Sequence, residues 1–181
     1  MLEIGKVMEV WRYPVSSVGG EMAGGLEMSA TGVVGDRMFG FYDRTTGYPA
    51  APEQEPRWRP ALRLSAVSSD SPLPNLRFPD GTQFPLDHPS LARHLTAYFG
   101  FDVGIASHSD ARPENGGFPV IAPRYAVSPL HLLTTGSLST LESLTGLASI
   151  DRRRFRPSLL IETDAENFVV FKHGMLTPLA G

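Results

Sequence analysis

Four arginines make residues 152–156 (RRRFR) the most densely charged part of the 181-residue sequence. Side chains alternate between the faces of an extended chain, so an extended segment would place Arg152, Arg154 and Arg156 on one face. Guanidinium groups form paired hydrogen bonds with phosphate and carboxylate groups. A binding site for a compact anion is therefore one hypothesis for this cluster.

Two alternatives for the arginine cluster stay open on residue types alone. The commoner one is that the arginines pair with acids such as Asp151, Glu162 and Asp164, or lie in water. The second is RNA binding, but neither an RGG array nor a ladder of aromatic residues accompanies the arginines. The net charge of -3 and the lack of a long apolar run also argue against gathering nucleic acid or inserting into a membrane. We therefore predict neither partner.

Two segments rich in small residues are the next candidates for ligand contact. Residues 11–21 (WRYPVSSVGGE) have the pattern of a strand that opens into a turn with Ser16 and Ser17. Hydroxyls and glycines in such a turn let backbone amides approach a ligand, although a plain turn is the commoner outcome. In residues 32–37 (GVVGDR), Arg37 is either an anion contact or the salt-bridge partner of the aspartate before it.

The sequence contains no cysteine, which excludes disulfides, thiolate metal sites, persulfide carriers and cysteine nucleophiles. Its five histidines include no zinc-peptidase pair, and no nucleophile elbow, Walker loop or dinucleotide fingerprint is present. His131, between two apolar pairs, is more typical of a satisfied core histidine than of a general base. We therefore predict no catalytic residue and no metal ligand.

The elements that must position these residues are mainly strands. Hydrophobic residues make up 41% of the chain, and 18 glycines and 16 prolines break it into short segments. The N-terminus has no signal-peptide pattern, so we expect a cytoplasmic protein. The apolar pattern predicts strands over residues 3–12, 33–42, 62–67, 155–163 and 168–171, and a hairpin over 76–84 that turns at Asp80-Gly81.

Two helices and one loop complete the prediction. Apolar spacing predicts a helix from about residue 87 to Gly100, and a second over residues 137–144 with Thr135 as cap and Gly146 as stop. The polar residues 107–123 predict a mobile loop that joins two halves or forms a lid. The predicted division is 1–88 and 89–181, or a single folding unit.

Five motifs occur in the same order as in the MOSC family, which is named for the C-terminal domain of molybdenum cofactor sulfurase. The matching segments resemble the family's opening strand and YPVKS turn (residues 7–17), its GxxGDR and D..TG hairpin (32–37 and 43–47), PRLW (55–58), PVHLLTTASL (128–138) and RRFRPNLLV (153–160). The resemblance covers about residues 5–163.

The resemblance implies a MOSC-type β-barrel with a few short peripheral helices and a pocket for the molybdenum-pterin cofactor, molybdopterin with its metal. By this resemblance, Ser16 and Ser17 lie in the turn on the cofactor side, and Arg37 and Arg156 match arginines that hold the cofactor. Arg154 is added because it would share a face with Arg156. The implied function is cofactor binding, related to sulfur transfer or to molybdenum reductases. The alternative is a non-catalytic β-barrel module that binds a protein partner or another small anion.

The chain departs from the family pattern at three places. Ser16 stands where lysine is usual, Ser158 stands where asparagine is usual, and the downstream family cysteine is absent. Serine is a poor nucleophile without an adjacent base and too hard a ligand to replace thiolate, so whether the protein is an enzyme stays open. We expect a C-terminally shortened member, with a homodimer contact or a partner chain covering the open barrel edge.

Overall fold

The computed structural model describes residues 5–108, 117–125, 128–163, 169–172 and 175–178. The chain folds as two compact units. The first unit comprises Met1–Trp11, Met22–Leu26 and Pro129–Gly181, and the second comprises Arg12–Glu21 and Glu27–Ser128. The second unit therefore continues through residue 88, where the sequence analysis places its division.

The described residues form short strands, two α-helices and two 3-10 helices. In chain order the strands are β1 (Lys6–Arg12), β2 (Glu21–Met22), β3 (Met28–Ser29), β4 (Gly32–Val33), β5 (Phe39–Asp43), β6 (Ser65–Val67), β7 (Asn75–Arg77), β8 (Gln83–Pro85), β9 (Val103–Ser107), β10 (Leu132–Thr134), β11 (Leu159–Glu162), β12 (Val169–Lys172) and β13 (Met175–Pro178). The α-helices are α1 (Leu91–Phe99) and α2 (Thr135–Thr145), and the 3-10 helices span Pro56–Arg63 and Arg152–Phe155.

Three small antiparallel sheets, ordered β3-β4, β5-β9 and β6-β7-β8, make up the second unit. β5 and β9 pair along their whole length, with Phe39 opposite Ser107. β7 and β8 confirm the predicted hairpin, and residues 78–82 form a loop wider than two residues. Pro79 lies in that loop, where its missing amide hydrogen interrupts no strand pairing.

α1 and a group of aromatic side chains form much of the core of the second unit. Leu91, Leu95 and Phe99 recur every four residues, and all three are buried on one face of α1. The helix ends at Gly100, which takes the left-handed conformation with φ of 79°. The fully buried Trp58 packs edge-on to Phe99, with ring centroids 5.3 Å apart. The apolar stripe that predicts this helix is therefore the face that packs into the core.

The first unit contains most of a four-stranded sheet ordered β10-β11-β1-β2 and a separate β12-β13 hairpin. The last residue of β1, Arg12, and the first residue of β2, Glu21, belong to the second unit. β11 runs antiparallel to β1 and parallel to β10. α2 begins where the Thr134 hydroxyl accepts a hydrogen bond from the amide of Ser137 at 3.0 Å, and it ends at left-handed Gly146. This confirms the predicted helix, but its cap is Thr134 rather than Thr135, and Leu144 on the predicted apolar side is 80% exposed.

The mainly β prediction is confirmed, whereas the strands pair into separate sheets and no closed barrel is found in the part of the chain that the structure describes. Within the same residues, no helix has the length and apolar character needed to span a bilayer. The strand predicted over 33–42 is split by a turn between β4 and β5, the run over 62–67 begins in a 3-10 helix, and the strand over 155–163 is limited to β11.

The loop predicted over residues 107–123 is described only in part. Residues 109–116 lie outside the described residues. Ser107 is a fully buried residue of β9, and Val120 forms an isolated bridge beside it. The described ends of this segment are therefore attached to the strand β9.

Candidate functional site

A pocket of about 280 Å³ lies in the second unit, where several predicted segments come together. Its wall is formed by the end of β1, the following turn, the turn after β4, the loop after β6 and the end of β9. The polar or turn-forming lining residues are Arg12, Pro14, Gly35, Ser68, Ser69, Ser71 and Ser107. The pocket therefore combines one guanidinium group with several hydroxyls.

Backbone hydrogen bonds join the opening turn to residues 32–37. The amide of Tyr13 donates to Asp36 Oδ1 at 2.7 Å, and the amide of Arg37 donates to the carbonyl of Tyr13 at 2.7 Å. Gly35 has a φ of 80°, a conformation that favours glycine, and lies beside the Arg12 side chain. The two small-residue segments singled out in the sequence thus form one wall of the same pocket.

Among the described residues, Arg12 is the only one whose guanidinium group lines this pocket. Its Nε and Nη2 donate to Glu21 Oε1 at 3.1 and 2.8 Å, and Nη2 also donates to the Ser68 hydroxyl. Burial acts to raise the pKa of Glu21, but hydrogen bonds from Ser68 and Arg12 outweigh it and hold that pKa below its usual value. Arg12 Nη1 donates to no described residue, so this nitrogen is the part of the fork left for a ligand.

Arg12 is not among the site residues predicted from the sequence. The local feature that could have indicated Arg12 is its position at the end of the opening strand, directly before the Tyr13-Pro14 turn. Glu21 lies nine residues away and Ser68 lies 56 residues away, so neither partner is visible in the local pattern. Only the folded chain shows that Arg12 faces the pocket with one nitrogen unused.

Ser16 contacts a histidine that the sequence analysis did not select. Ser16 Oγ lies 3.1 Å from His108 Nε2, and His108 Nδ1 lies 3.2 Å from the carbonyl oxygen of Ile121. Burial lowers the pKa of His108, and the hydrogen bond to Ile121 opposes this effect only in part. Ser16 does not line the pocket. Two residues close in sequence do: Pro14, near Ser16, and Ser107, next to His108.

Arg37 forms a salt bridge with the residue before it, Asp36. Its guanidinium pairs with Asp36 and lies over the ring of Tyr13, 5.5 Å from the ring centroid. This is the salt-bridge alternative that the sequence left open for Arg37. Arg37 belongs to the second unit, and it does not line the pocket.

The condition for three arginines on one face, an extended segment, is not met, because Arg152–Phe155 is a 3-10 helix. Asp151 caps that helix and accepts hydrogen bonds from the amide and side chain of Arg153, at 3.0 and 2.7 Å. Arg152 instead forms an ion pair with Glu9. Because the segment is helical, Arg152, Arg154 and Arg156 do not share the face of a strand.

The two selected arginines of this cluster lie in the first unit. Arg154 is an exposed residue of the 3-10 helix, and Arg156 follows it in the left-handed conformation with φ of 52°. Neither lines the pocket of the second unit. The predicted group of Ser16, Ser17, Arg37, Arg154 and Arg156 is therefore divided between the two units.

Three of these five residues share an unusual backbone conformation. Ser17, Arg37 and Arg156 have φ values of 65°, 48° and 52°, and no other described residue except glycine has a positive φ. Such conformations are strained in residues with a Cβ and concentrate at functional sites. The motifs that contain these three residues therefore coincide with unusual backbone conformations, even where a side chain such as that of Arg37 forms a local ion pair.

The donor set suits an anion better than a metal. Hydroxyls and a guanidinium bind phosphate or carboxylate oxygens, and no group of three or more His, Asp or Glu side chains able to hold a metal occurs in the described ranges. The full sequence also has no cysteine. The donor set therefore suits a compact anion. The described lining residues include the Met38 thioether, a soft ligand type, but no thiolate.

A scan against protein-family models found no match for the chain. A search of curated proteins also found no match.

Proposed function

We propose that this protein binds a small phosphorylated ligand in the Arg12 pocket and that, in line with its MOSC resemblance, this ligand is the molybdenum-pterin cofactor. The observation that carries the proposal is Arg12, which lines a pocket of about 280 Å³ and whose Nη1 has no hydrogen-bond partner among the described residues. Phosphate oxygens are acceptors that such a nitrogen prefers.

The pocket favours a compact ligand. Its volume lies near the low end of the roughly 300–1,000 Å³ range typical of small-molecule sites. Three serines from the loop after β6, Ser68, Ser69 and Ser71, add hydroxyls to the same wall. Arg12 Nη1 and the Ser71 hydroxyl would donate to the phosphate oxygens, since Ser71 Oγ accepts from the Leu73 amide and keeps its own proton. The hydroxyls of Ser68 and Ser69 already donate to Glu21 and to the Leu73 carbonyl.

Molybdenum supplies redox or sulfur-transfer chemistry when such a cofactor is bound. This chain adds no thiolate to that chemistry, because it has no cysteine. We therefore propose a binding or carrier role, with any thiol step supplied by a partner chain. The proposal also includes a MOSC-type barrel, a homodimer or partner chain on its open edge and a cytoplasmic location.

The test begins with the purified protein, in which molybdenum is measured together with pterin fluorescence after acid oxidation. Arg12→Gln is expected to lower retained cofactor at least about tenfold, because it removes the charged donors to phosphate. Arg93→Gln is the matched control, because Arg93 is an exposed residue of α1 outside the pocket. Arg37→Gln and Arg156→Gln test the two positions taken from the family resemblance.

Retention measured in the folded variants separates binding from stability. A wild-type protein that contains neither molybdenum nor pterin, and that takes up no added cofactor, contradicts the cofactor proposal. If Arg12→Gln then binds inorganic phosphate more weakly than the wild type does, the anion site is supported. The ligand would in that case be a phosphorylated molecule other than the cofactor. Equal binding by Arg12→Gln and Arg93→Gln contradicts the anion site itself.

A further inference from the structure

We propose that Ser16 and His108 form a nucleophile and general-base pair that hydrolyses small activated esters. The pair is independent of the phosphate proposal, because neither residue lines the Arg12 pocket. The two residues are 92 positions apart in sequence and lie in the same unit. The fold brings a hydroxyl and an imidazole into hydrogen-bond contact at 3.1 Å.

The hydrogen bonds assign the direction of proton transfer. A backbone carbonyl only accepts, so the 3.2 Å contact with Ile121 places the proton of neutral His108 on Nδ1. Nε2 is then the acceptor, and the Ser16 hydroxyl donates to it. This is the arrangement of a serine nucleophile with its base, in which the Ile121 carbonyl takes the place of the orienting third group.

The state of His108 agrees with this role. Burial lowers the pKa of its imidazole, so the ring is neutral and able to take a proton at pH 7. Ser16 and His108 are both half-buried, which leaves each of them partly accessible to a small molecule.

Strand β5 and Met38, the residue before it, position the two members of the pair. The amide of Ser16 donates to the carbonyl of Phe39 at 2.7 Å, and the amide of His108 donates to the carbonyl of Met38 at 2.9 Å. Gly40 leaves room for the imidazole, because a Cβ there would lie 2.6 Å from His108 Nε2. Gly40 is therefore a positioning residue for the base.

The residue after the proposed nucleophile supplies a candidate oxyanion donor. Ser17 has a φ of 65°, and its amide donates to no other described residue. An amide directly after a serine nucleophile stabilises the developing oxyanion in other serine hydrolases. The strained backbone at Ser17 thus has a chemical role in addition to the turn that it forms.

The proposed reaction has two balanced steps. Ser16 Oγ forms a bond to the ester carbonyl carbon, and the bond from that carbon to the leaving alcohol breaks. The Ser16 proton passes to His108 Nε2 and then to the leaving oxygen. Water then attacks the acyl-serine, gives one proton to His108 Nε2, and the carboxylic acid leaves as Ser16 recovers that proton.

The experiment uses the full chain with p-nitrophenyl acetate as substrate and a fluorophosphonate as a covalent probe. We expect turnover above the buffer rate and a probe adduct that mass spectrometry locates at Ser16. Ser16→Ala and His108→Gln are expected to lower the rate at least about 100-fold. The matched controls are Ser139→Ala and His88→Gln, because both residues lie outside the pair and His88 is exposed.

Gly40→Ala tests the positioning of His108 without removing either side chain of the pair. We expect its kcat to fall and its Ser16 adduct to form more slowly, while circular dichroism shows a folded protein. A folded wild type without turnover or adduct, an adduct at another serine, or equal rates in Ser16→Ala and Ser139→Ala would each overturn the proposal. Because labelling uses the wild type, a variant that does not fold leaves the test intact.

Discussion

The two units differ in how they bury their apolar residues. The hydrophobic core cluster of the second unit contains Trp58, Phe41 and Leu64, all at most 2% exposed. In the first unit, Leu160 and Pro157 are the buried apolar side chains among the described residues, whereas Val7 and Leu144 are exposed. Among the side chains that the structure describes, most of the hydrophobic stabilisation therefore belongs to the second unit, since it scales with buried apolar area.

The units also differ in what their charged residues do. In the first unit, Arg152 and Arg153 pair with Glu9 and Asp151 near the surface. In the second unit, Arg12 pairs with Glu21 and also lines a pocket. The arginine cluster was therefore less informative about a binding site than Arg12. The arginines of the cluster form ion pairs with nearby acids, whereas Arg12, a single arginine beside a turn, lines a pocket.

The largest expected effect comes from removing the central aromatic ring of the second unit. Trp58→Ala should lower the free energy of unfolding by about 3–5 kcal/mol, because Trp58 is fully buried. Leu144→Ala in the first unit is the control and should change it by less than about 0.5 kcal/mol, since Leu144 is 80% exposed. Urea denaturation measures both values, and similar losses would contradict the contrast between the units.

A buried carboxylate in the second unit should have the next largest effect. Asp43 accepts hydrogen bonds from the Thr45 amide and from Arg57, both at 2.7 Å. Burial acts to raise the pKa of Asp43, but these bonds outweigh it and lower that pKa. Asp43→Ala should lower the free energy of unfolding by about 1–3 kcal/mol, because it leaves buried donors unsatisfied.

The conservative variant Asp43→Asn separates hydrogen bonding from charge. It keeps an acceptor oxygen for the Thr45 amide, so its loss in urea denaturation should be smaller than that of Asp43→Ala. Equal losses in the two variants would show that the ion pair with Arg57, rather than the turn, gives the stabilisation.

Acid should destabilise the second unit through His108. Burial lowers the pKa of His108 in the folded state, so the unfolded chain takes up a proton first as the pH falls below about 6.5. Stability should therefore decrease between neutral pH and the folded pKa of His108. The free energy of unfolding of His108→Gln, measured by urea denaturation at pH 7 and 5.5, should change less than that of the wild type. A steeper change in the variant would contradict this assignment.

The smallest effect is expected at the exposed arginine cluster of the first unit. Hydrogen bonds from Arg153 lower the pKa of Asp151 to about 2 from 3.8, so this contribution is present above pH 3.8 and is lost as the pH falls through 2. Water screens the pair, so Asp151→Asn should cost less than about 1 kcal/mol at pH 7. Thermal denaturation of the wild type and of Asp151→Asn at pH 7 and pH 2.5 tests this value. A loss of stability in Asp151→Asn as large as that in Asp43→Ala would contradict the expected difference between the two units.

Local signals predicted much of the second unit. Helix α1 follows from an apolar stripe that ends at Gly100, and the β7-β8 hairpin follows from Asp80-Gly81 between apolar residues. In both cases the interacting residues lie within about a dozen positions, so the sequence pattern contains the partners. The cap of α2 was displaced by one residue, because adjacent threonines give the same local signal.

The arginine cluster shows how one local signal can override another. Alternation favoured a strand, but the Asp151 carboxylate accepts the amide of Arg153 and begins a 3-10 helix. An aspartate two residues before that amide is a known capping pattern, and it could have indicated the turn. The predicted convergence of three guanidiniums was lost with the strand.

The sequence was sufficient to predict a mainly β chain without thiol chemistry and to indicate the turn in which Ser17 adopts left-handed backbone. Arg37 and Arg156, which also adopt left-handed backbone, fell within predicted strands. Only the tertiary structure decided that Arg12 lines a pocket and that Ser16 meets His108. Backbone propensity and helix capping depend on residues a few positions apart, so they can be predicted from the sequence. Side chains 92 positions apart meet only after strand pairing and core packing have fixed both ends in space.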